Sequence, residues 1–386
     1  MGNTLTGLIP TIYTGLDVVS RELIGFVPNV SRNASAEQAA VGQTVRAPVA
    51  PQGSLEDITP GNNPADSGDQ TIDYVDVSIT KSKAYPIRWS GEEQKGVSQF
   101  GQINTILANQ FEQAFRTLAN AVEADLAALY AKASRAYGTA GTTPFGTAAD
   151  LTDLAEINRI LDDNGAPPST RKMIVGSAAR AKLEGKQSQL FKVNEAGTDA
   201  LLRNREQRML QGFVMGYSAG IVSHTKGAGT GFLVNNGSGE AVGDYSLTVD
   251  TGTVNTTGIK AGDVVTLAGD TNKYIVNTTL AAASGQLVLN KPGLRVAAAD
   301  DTAITVGNSY TANMAFTEDA MLLVARQPAM PDGGDEADDV ITITDPLSGL
   351  VFQVALYRQY RRIKYEVGLA WGVAAPKSEH MALLLG

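Results

Sequence analysis

Between residues 103 and 135 the apolar side chains Leu107, Phe111, Phe115, Leu118, Val122, Leu126 and Leu129 recur at spacings of three and four. That period predicts one continuous helix with a single buried face. Glu112 and Arg116 are placed to pair one turn apart. Lys132 and Arg135 suit the negative end of the helix dipole, and Gly138 and Gly141 stop it. At about 1.5 Å per residue the helix spans on the order of 45 Å. A rod of that length is long for a compact enzyme domain, and the other elements must be laid out along it.

On its N-terminal side the chain is irregular. Residues 1–45 hold one modest apolar segment, "LDVVSRELIGFV", and read as an arm lying on other structure. Residues 46–90 begin with a stretch rich in Pro, Gly, Asn and Asp and continue as "TIDYVDVSITKSKAYPIRW", which alternates as a strand does. Pro51, Pro60 and Pro64 bar a central strand, so the reading is a two-stranded excursion with a mobile tip. Residues 150–222 alternate short helices, "LAEINRILDDNGAP" and "AARAKLEGKQSQLF", with the strands "RKMIVGS" and "GFVMGYSAGIVS". This is an α+β pattern, with strands too few and too far apart for a wound parallel sheet.

From 226 to 312 helical periodicity disappears. Short strands such as "DYSLTVDTG", "DVVTLAGD" and "KYIVNTTL" follow at intervals of about ten residues, which suits a small β-barrel or sandwich inserted into the main body. Residues 313–386 return to that body. Asp345 to Gly349 make a hairpin signal, and Ile363, Tyr365, Val367, Leu369, Trp371 and Val373 alternate as one long half-buried strand.

Composition excludes several classes. A net charge of −9 argues against broad gripping of nucleic acid, which needs clustered Lys and Arg. With no cysteine there is no disulfide and no thiolate chemistry, and two histidines leave little for a metal site. No metal, cofactor or catalytic residue is assigned. The N-terminus lacks a basic region before Arg21 and no stretch approaches a membrane span, so a cytoplasmic site of synthesis is expected. A charged fraction of 18% suits a chain that buries much of its surface in an assembly.

Five stretches invite chemistry. "GYSAG", Gly216 to Gly220, fits the nucleophile-elbow pattern of serine hydrolases, with Ser218 as nucleophile, Asp345 as acid and His380 as base. An elbow needs a helix directly after the serine, and "IVSHTKGAGTGF" has no helical pattern, so a strand outweighs a catalytic serine. On that view Gly220 matters to folding or assembly and Ser218→Ala is nearly silent. "PDGGDEADDV", with Asp332, Asp335, Glu336, Asp338 and Asp339, lacks the spacing of a calcium loop and reads as solvated. "YRQYRRIKY" would put Arg358, Tyr360, Arg362 and Lys364 on one strand face, better suited to a neighbouring subunit than to nucleic acid. Neither "KGAGTG" at Lys226 nor Gly185-Lys186 completes a phosphate loop.

The order of several motifs resembles one family. "ITKSKAYPIRWSGEEQ", "LANAVEADLAALY", "NRILDDNGAPPSTRKMIVGSAARAKL", "GFVMGYSAGIVSHT" and "YEVGLAWGVAAPKSEHMALLLG" resemble successive segments of the major capsid (coat) proteins of short-tailed double-stranded DNA phages of the Salmonella podovirus type. The resemblance implies the tailed-phage major-capsid fold: an N-terminal arm (1–45), an extended loop (46–90), a spine helix and peripheral region (91–145), and an axial domain (146–224). An inserted β-domain (225–312) and a return to the axial and peripheral domains (313–386) would follow. It also implies pentamers and hexamers in an icosahedral head, a procapsid built on a scaffolding protein, a portal protein, a decoration protein, enclosed DNA without sequence-specific binding, no membrane, and a virion assembled in the host bacterial cytoplasm. The alternatives are a serine esterase using Ser218, and a phage decoration or tail-tube protein.

Overall fold

In the computed structural model, residues 25–49, 73–98, 103–147, 150–186, 209–345 and 348–386 are described, with 12, 13, 16 and 60. Of the expected arm (1–45), the residues before 25 lie otherwise outside the described residues, as do residues 50–72, the expected mobile tip of the extended loop, apart from 60; Ser31–Ala39 of the arm is instead a strand paired in parallel with Leu322–Pro328 in the body sheet. In chain order the strands are β1 (Ser31–Ala39), β2 (Thr44–Val49), β3 (Asp73–Ser78), β4 (Lys81–Ser90), β5 (Arg135–Tyr137), β6 (Arg171–Val175), β7 (Met209–Leu210), β8 (Phe213–Tyr217) and β9 (Ser223–His224). Next come β10 (Phe232–Val234), β11 (Ser246–Asp250), β12 (Val264–Leu267), β13 (Lys273–Ile275), β14 (Gly285–Val288) and β15 (Ala303–Val306). The last are β16 (Tyr310–Thr317), β17 (Leu322–Pro328), β18 (Asp339–Thr344), β19 (Val351–Gln359), β20 (Arg362–Ala374) and β21 (Met381–Leu385).

The long helix runs Ile103–Ala127 and tightens into a 3-10 turn over Ala128–Lys132. Neither Gly nor Pro interrupts its 25 residues. Phe111, Phe115, Val122 and Leu126 are fully buried, each contributing about 1.5–3 kcal/mol through apolar burial. The stripe packs on one face of a six-stranded sheet built from β1, β4 and β17–β20. Phe111 meets Tyr365 edge-on at 5.6 Å, and Phe115 meets Phe352 at 5.0 Å. Asp125 accepts from Trp371 Nε1 at 2.7 Å and pairs with Lys81 at 2.5 Å, tying the helix to β20 and β4. Glu112 and Arg116 pair at 3.0 Å, as their spacing predicts.

Arg135 departs from expectation. Its backbone is in β5 and its side chain is buried. It donates to Asn272, Asp163, Asn164 and the Ile160 carbonyl. Arg171, also buried, donates to Asn158, Asp162 and the Ala166 carbonyl. The acids of "LDDNG" therefore serve as anchors for two buried guanidiniums around the end of the helix Thr152–Asp163, and Gly165 turns the chain at φ +73°.

Residues 81–90, grouped by sequence with the extended loop, form β4 beside β20 in the body sheet. The excursion proper is the ribbon β2–β3, a separate two-stranded sheet. Its base crosses the outer face of the six-stranded sheet, where Val77 and Ile79 pack with Val324 and Ala370.

Strands β10–β15 form the inserted domain around their own core of Phe232, Leu247, Val265, Tyr274, Leu287 and Ile304. A bridge between Val276 and Leu289 joins the ends of the strand path and closes a small barrel. The barrel is also continuous with the body, because β13 pairs with β5 through Lys273–Ala136 and Tyr274–Arg135. Asn290 of the barrel donates to the Ala131 and Ala133 carbonyls at 2.8 and 2.7 Å, capping the end of the long helix. Among the described residues, no helix is long and apolar enough to cross a membrane.

Candidate functional site

Ser218 follows β8 at a turn, and the next regular element is the strand β9, not a helix. The serine is buried, and its backbone N–H donates to the Val175 carbonyl at 3.3 Å. Its hydroxyl accepts from the Gly220 N–H at 3.0 Å and hydrogen-bonds to the Glu123 carboxylate. The adjoining cavity of about 260 Å³ is lined in part by Ser177, Ala178, Ile221 and Asn313, and neither His380 nor Asp345 reaches it. His380 sits in the 3-10 turn Ser378–His380, where burial pushes its pKa down. Asp345 is occupied by the amide and hydroxyl of Ser348 inside the β18–β19 hairpin. The structure brings no two of these three side chains together.

What it brings to Ser218 is an acid that sequence reasoning missed. Glu123, on the long helix, is 2% exposed. Its carboxylate accepts from three successive amides, Gly25 and Phe26 at 2.8 Å and Val27 at 3.2 Å. Together with Ser218 these donors can fill all four lone-pair positions. Burial raises the Glu123 pKa, opposed by the hydrogen bonds from Ser218, Phe26, Gly25 and Val27. Among the described residues no basic side chain contributes. The available signal was the row Ala119–Glu123–Ala127, in which small buried residues flank a lone acid one turn away on each side.

This geometry points to the opposite order for Gly220 and Ser218. Gly220 has room: an added Cβ would meet Glu123 Cγ and Ser218 Oγ at 3.4 Å. Gly216 is tighter, since a Cβ there would press on Ile174 Cδ1 and lie 3.3 Å from Asn29 Nδ2, so that both side-chain ends must give way. Ser218→Ala removes a hydrogen bond to a buried charged group and should cost about 1.5–3 kcal/mol. Gly220→Ala should cost less than about 1 kcal/mol, while Gly216→Val should cost about 1–3 kcal/mol through overpacking. Urea denaturation of the three variants checks this order, and a silent Ser218→Ala would refute it.

The second histidine lies at the junction with the barrel. His224 Nε2 contacts Asp263 Oδ1 at 2.8 Å and Nδ1 contacts the Tyr130 hydroxyl at 2.8 Å. Asp263 also accepts from the Gly227 and Lys260 amides. The "KGAGTG" loop therefore already gives an amide to an acid of its own chain.

The basic cluster is divided by a turn that the alternation did not reveal. Gln359 pairs with Arg362, so Tyr360 and Arg361 form a two-residue hairpin loop, with Arg361 at φ +58°. Directly opposed residues share a sheet face. Arg358 therefore lies with Ile363 on the face toward the long helix, while Arg362 and Lys364 lie on the outer face beside Arg88. The acidic run is an exposed loop, as expected. Asp335 accepts from the Tyr357 hydroxyl at 2.5 Å, and Asp338 from the Arg358 amide at 2.8 Å. Among the described residues no cluster of three or more metal-ligating side chains occurs.

The sequence matches no family model and no curated protein. The chain is similar to solved structures at low identity. A capsid structure of the cyanophage P-SCSP1u shares 11% identity over 93% of this chain and 87% of its own, with a TM-score of 0.45. The mature capsid of bacteriophage PhiM1 shares 10% over 94% and 87%, also at 0.45. A virus-like particle from Pyrococcus furiosus shares 8% over 97% and 98%, at 0.43.

Proposed function

We propose that the chain is the major capsid protein of a tailed double-stranded DNA phage, building pentamers and hexamers of an icosahedral head without a catalytic role. The ribbon β2–β3 carries this reading. Among the described residues it pairs only with itself and leaves the body as a two-stranded sheet, a form marginally stable in water until another surface covers it. Tyr74 on the ribbon is 53% exposed, with Arg46 stacked over its ring at 3.7 Å. A ribbon of this kind is suited to lie on a neighbouring subunit. The long helix beneath a broad sheet supplies a stiff plate, and the net charge of −9 suits the wall of a container filled with DNA. In this reading a scaffolding protein guides a procapsid, a portal protein occupies one vertex, a decoration protein binds outside, and the mature protein resides in the virion after assembly in the host bacterial cytoplasm. Negative-stain images of the expressed chain, alone and with its phage's scaffolding protein, should show closed shells or ring-shaped capsomers. Monomers alone under all conditions would overturn the proposal.

A further inference from the structure

One end of the six-stranded sheet carries opposite charges side by side. The hairpin tip presents Tyr360, 89% exposed and the most exposed large apolar side chain among the described residues. Arg361 stacks near its ring at 5.9 Å, and Arg362 and Arg88 are exposed next to it. At the same end the loop leading into β18 exposes Asp332 and Glu336. Its other acids are occupied, Asp335 by Tyr357 and Asp338 by Arg358. Among the other charged neighbours, Lys364 pairs with Glu366, Glu93 accepts from the Ser90 amide and feels the Arg362 charge, and Glu92 is exposed beside the Gly91–Arg361 backbone contact. Among the described residues, Asp332, Glu336, Arg88 and Arg361 form no ion pair.

An isologous contact applies the same patch twice with its directions reversed, so a patch that is acidic on one side and basic on the other complements itself. Tyrosine and arginine are also the side chains that most often anchor interfaces. We propose that this sheet end is a two-fold contact between copies of this chain, in which the Tyr360–Arg361 tip and Arg362 of each copy dock on the Asp332–Glu336 loop of the other. The inference rests on the capsid reading for the assembly in which the contact operates, but the contact itself can be tested separately.

The test uses two full-length charge-reversed chains, one carrying Arg361→Glu and Arg362→Glu, the other Asp332→Lys and Glu336→Lys. Both sets of positions are exposed, and matching thermal melts establish that each variant folds. Sedimentation velocity reads association at any size, and electron microscopy reads shells. Each variant alone should need at least tenfold more protein to associate than the parent chain, and an equimolar mixture should recover most of the loss. Unchanged association of the single variants, or no recovery on mixing, would overturn the two-fold contact. Shells from the parent chain with unaltered variants would leave the capsid reading standing and remove only this inference. A parent chain that forms salt-sensitive, mixing-rescued dimers but never shells would do the reverse.

Discussion

Gly372→Ala should displace the β2–β3 ribbon and, on the capsid function proposed above, abolish assembly into shells while leaving the inserted barrel folded. A Cβ at this position would fall 2.9 Å from the Ser78 carbonyl carbon, nearer still to its oxygen, and 3.1 Å from Ile79 Cα. All three atoms belong to the backbone where the ribbon crosses β20, so no side-chain rotation relieves the overlap. The Thr80 amide donates to the Trp371 carbonyl at 3.1 Å, and this bond also depends on the close approach. Overpacking against backbone should cost about 3 kcal/mol or more. Hydrogen exchange should show lost protection in β3 and the start of β4, with β10–β15 unaffected. Gly185→Ala is the control. It lies in the helix Ser177–Lys186 with nothing within 4 Å of the added carbon, so it should stabilise by about 0.5–1 kcal/mol. Wild-type protection in β3 for Gly372→Ala would refute the argument.

Glu123→Ala should be the most destabilising single change on the long helix. It strands three buried amides and the Ser218 hydroxyl at once. Each unsatisfied buried group costs about 1–3 kcal/mol, so even partial relaxation leaves a loss of about 3–5 kcal/mol. Glu123→Gln separates charge from shape. Burial raises the Glu123 pKa in the folded protein, so the folded state holds this proton more tightly than the unfolded state. Its contribution to stability is therefore most favourable below the unfolded value of 4.5 and is lost as pH rises through the folded value. Asp150, Asp335 and Glu93, whose pKa values are lowered by hydrogen bonding, act in the opposite direction. Subtracting Glu123→Gln from the parent isolates the Glu123 term. The parent's stability relative to Glu123→Gln should decline as pH rises above about 4.5, and an increase over that window would refute the sign. Urea titrations from pH 4 to 7 measure it.

The long helix was legible because its apolar stripe has a period that only one backbone geometry satisfies. The barrel was legible as a change of composition, and the Asp345 hairpin as a turn signal. Where the sequence misled, the deciding contact came from far away in the chain. Arg135 reads as a helix-end cation, yet partners at Asn272 and Asp163 draw it into a strand. Lys81 to Ser90 read as part of an excursion because alternation cannot say which strand will be the neighbour. Arg358 and Arg362 share a parity within one strand, and a two-residue loop between them reverses it. Glu123 was invisible as a site because nothing near it in sequence reveals that the amides of residues 25–27 will converge on it. The α+β character of the main body was legible; the charge placement at the sheet end was not, because it depends on register.

The two-residue splice of β13 onto β5 also has a mechanical meaning. The barrel would bear any tug applied to it from outside, and the stress would pass through two rungs of ladder and the Asn290 grip into the last turn of the long helix. The same rod lies along the sheet whose far end holds Tyr360. A displacement of the barrel would therefore be passed to the end of the long helix through those ladder rungs and the Asn290 hydrogen bonds, rather than taken up in a slack tether.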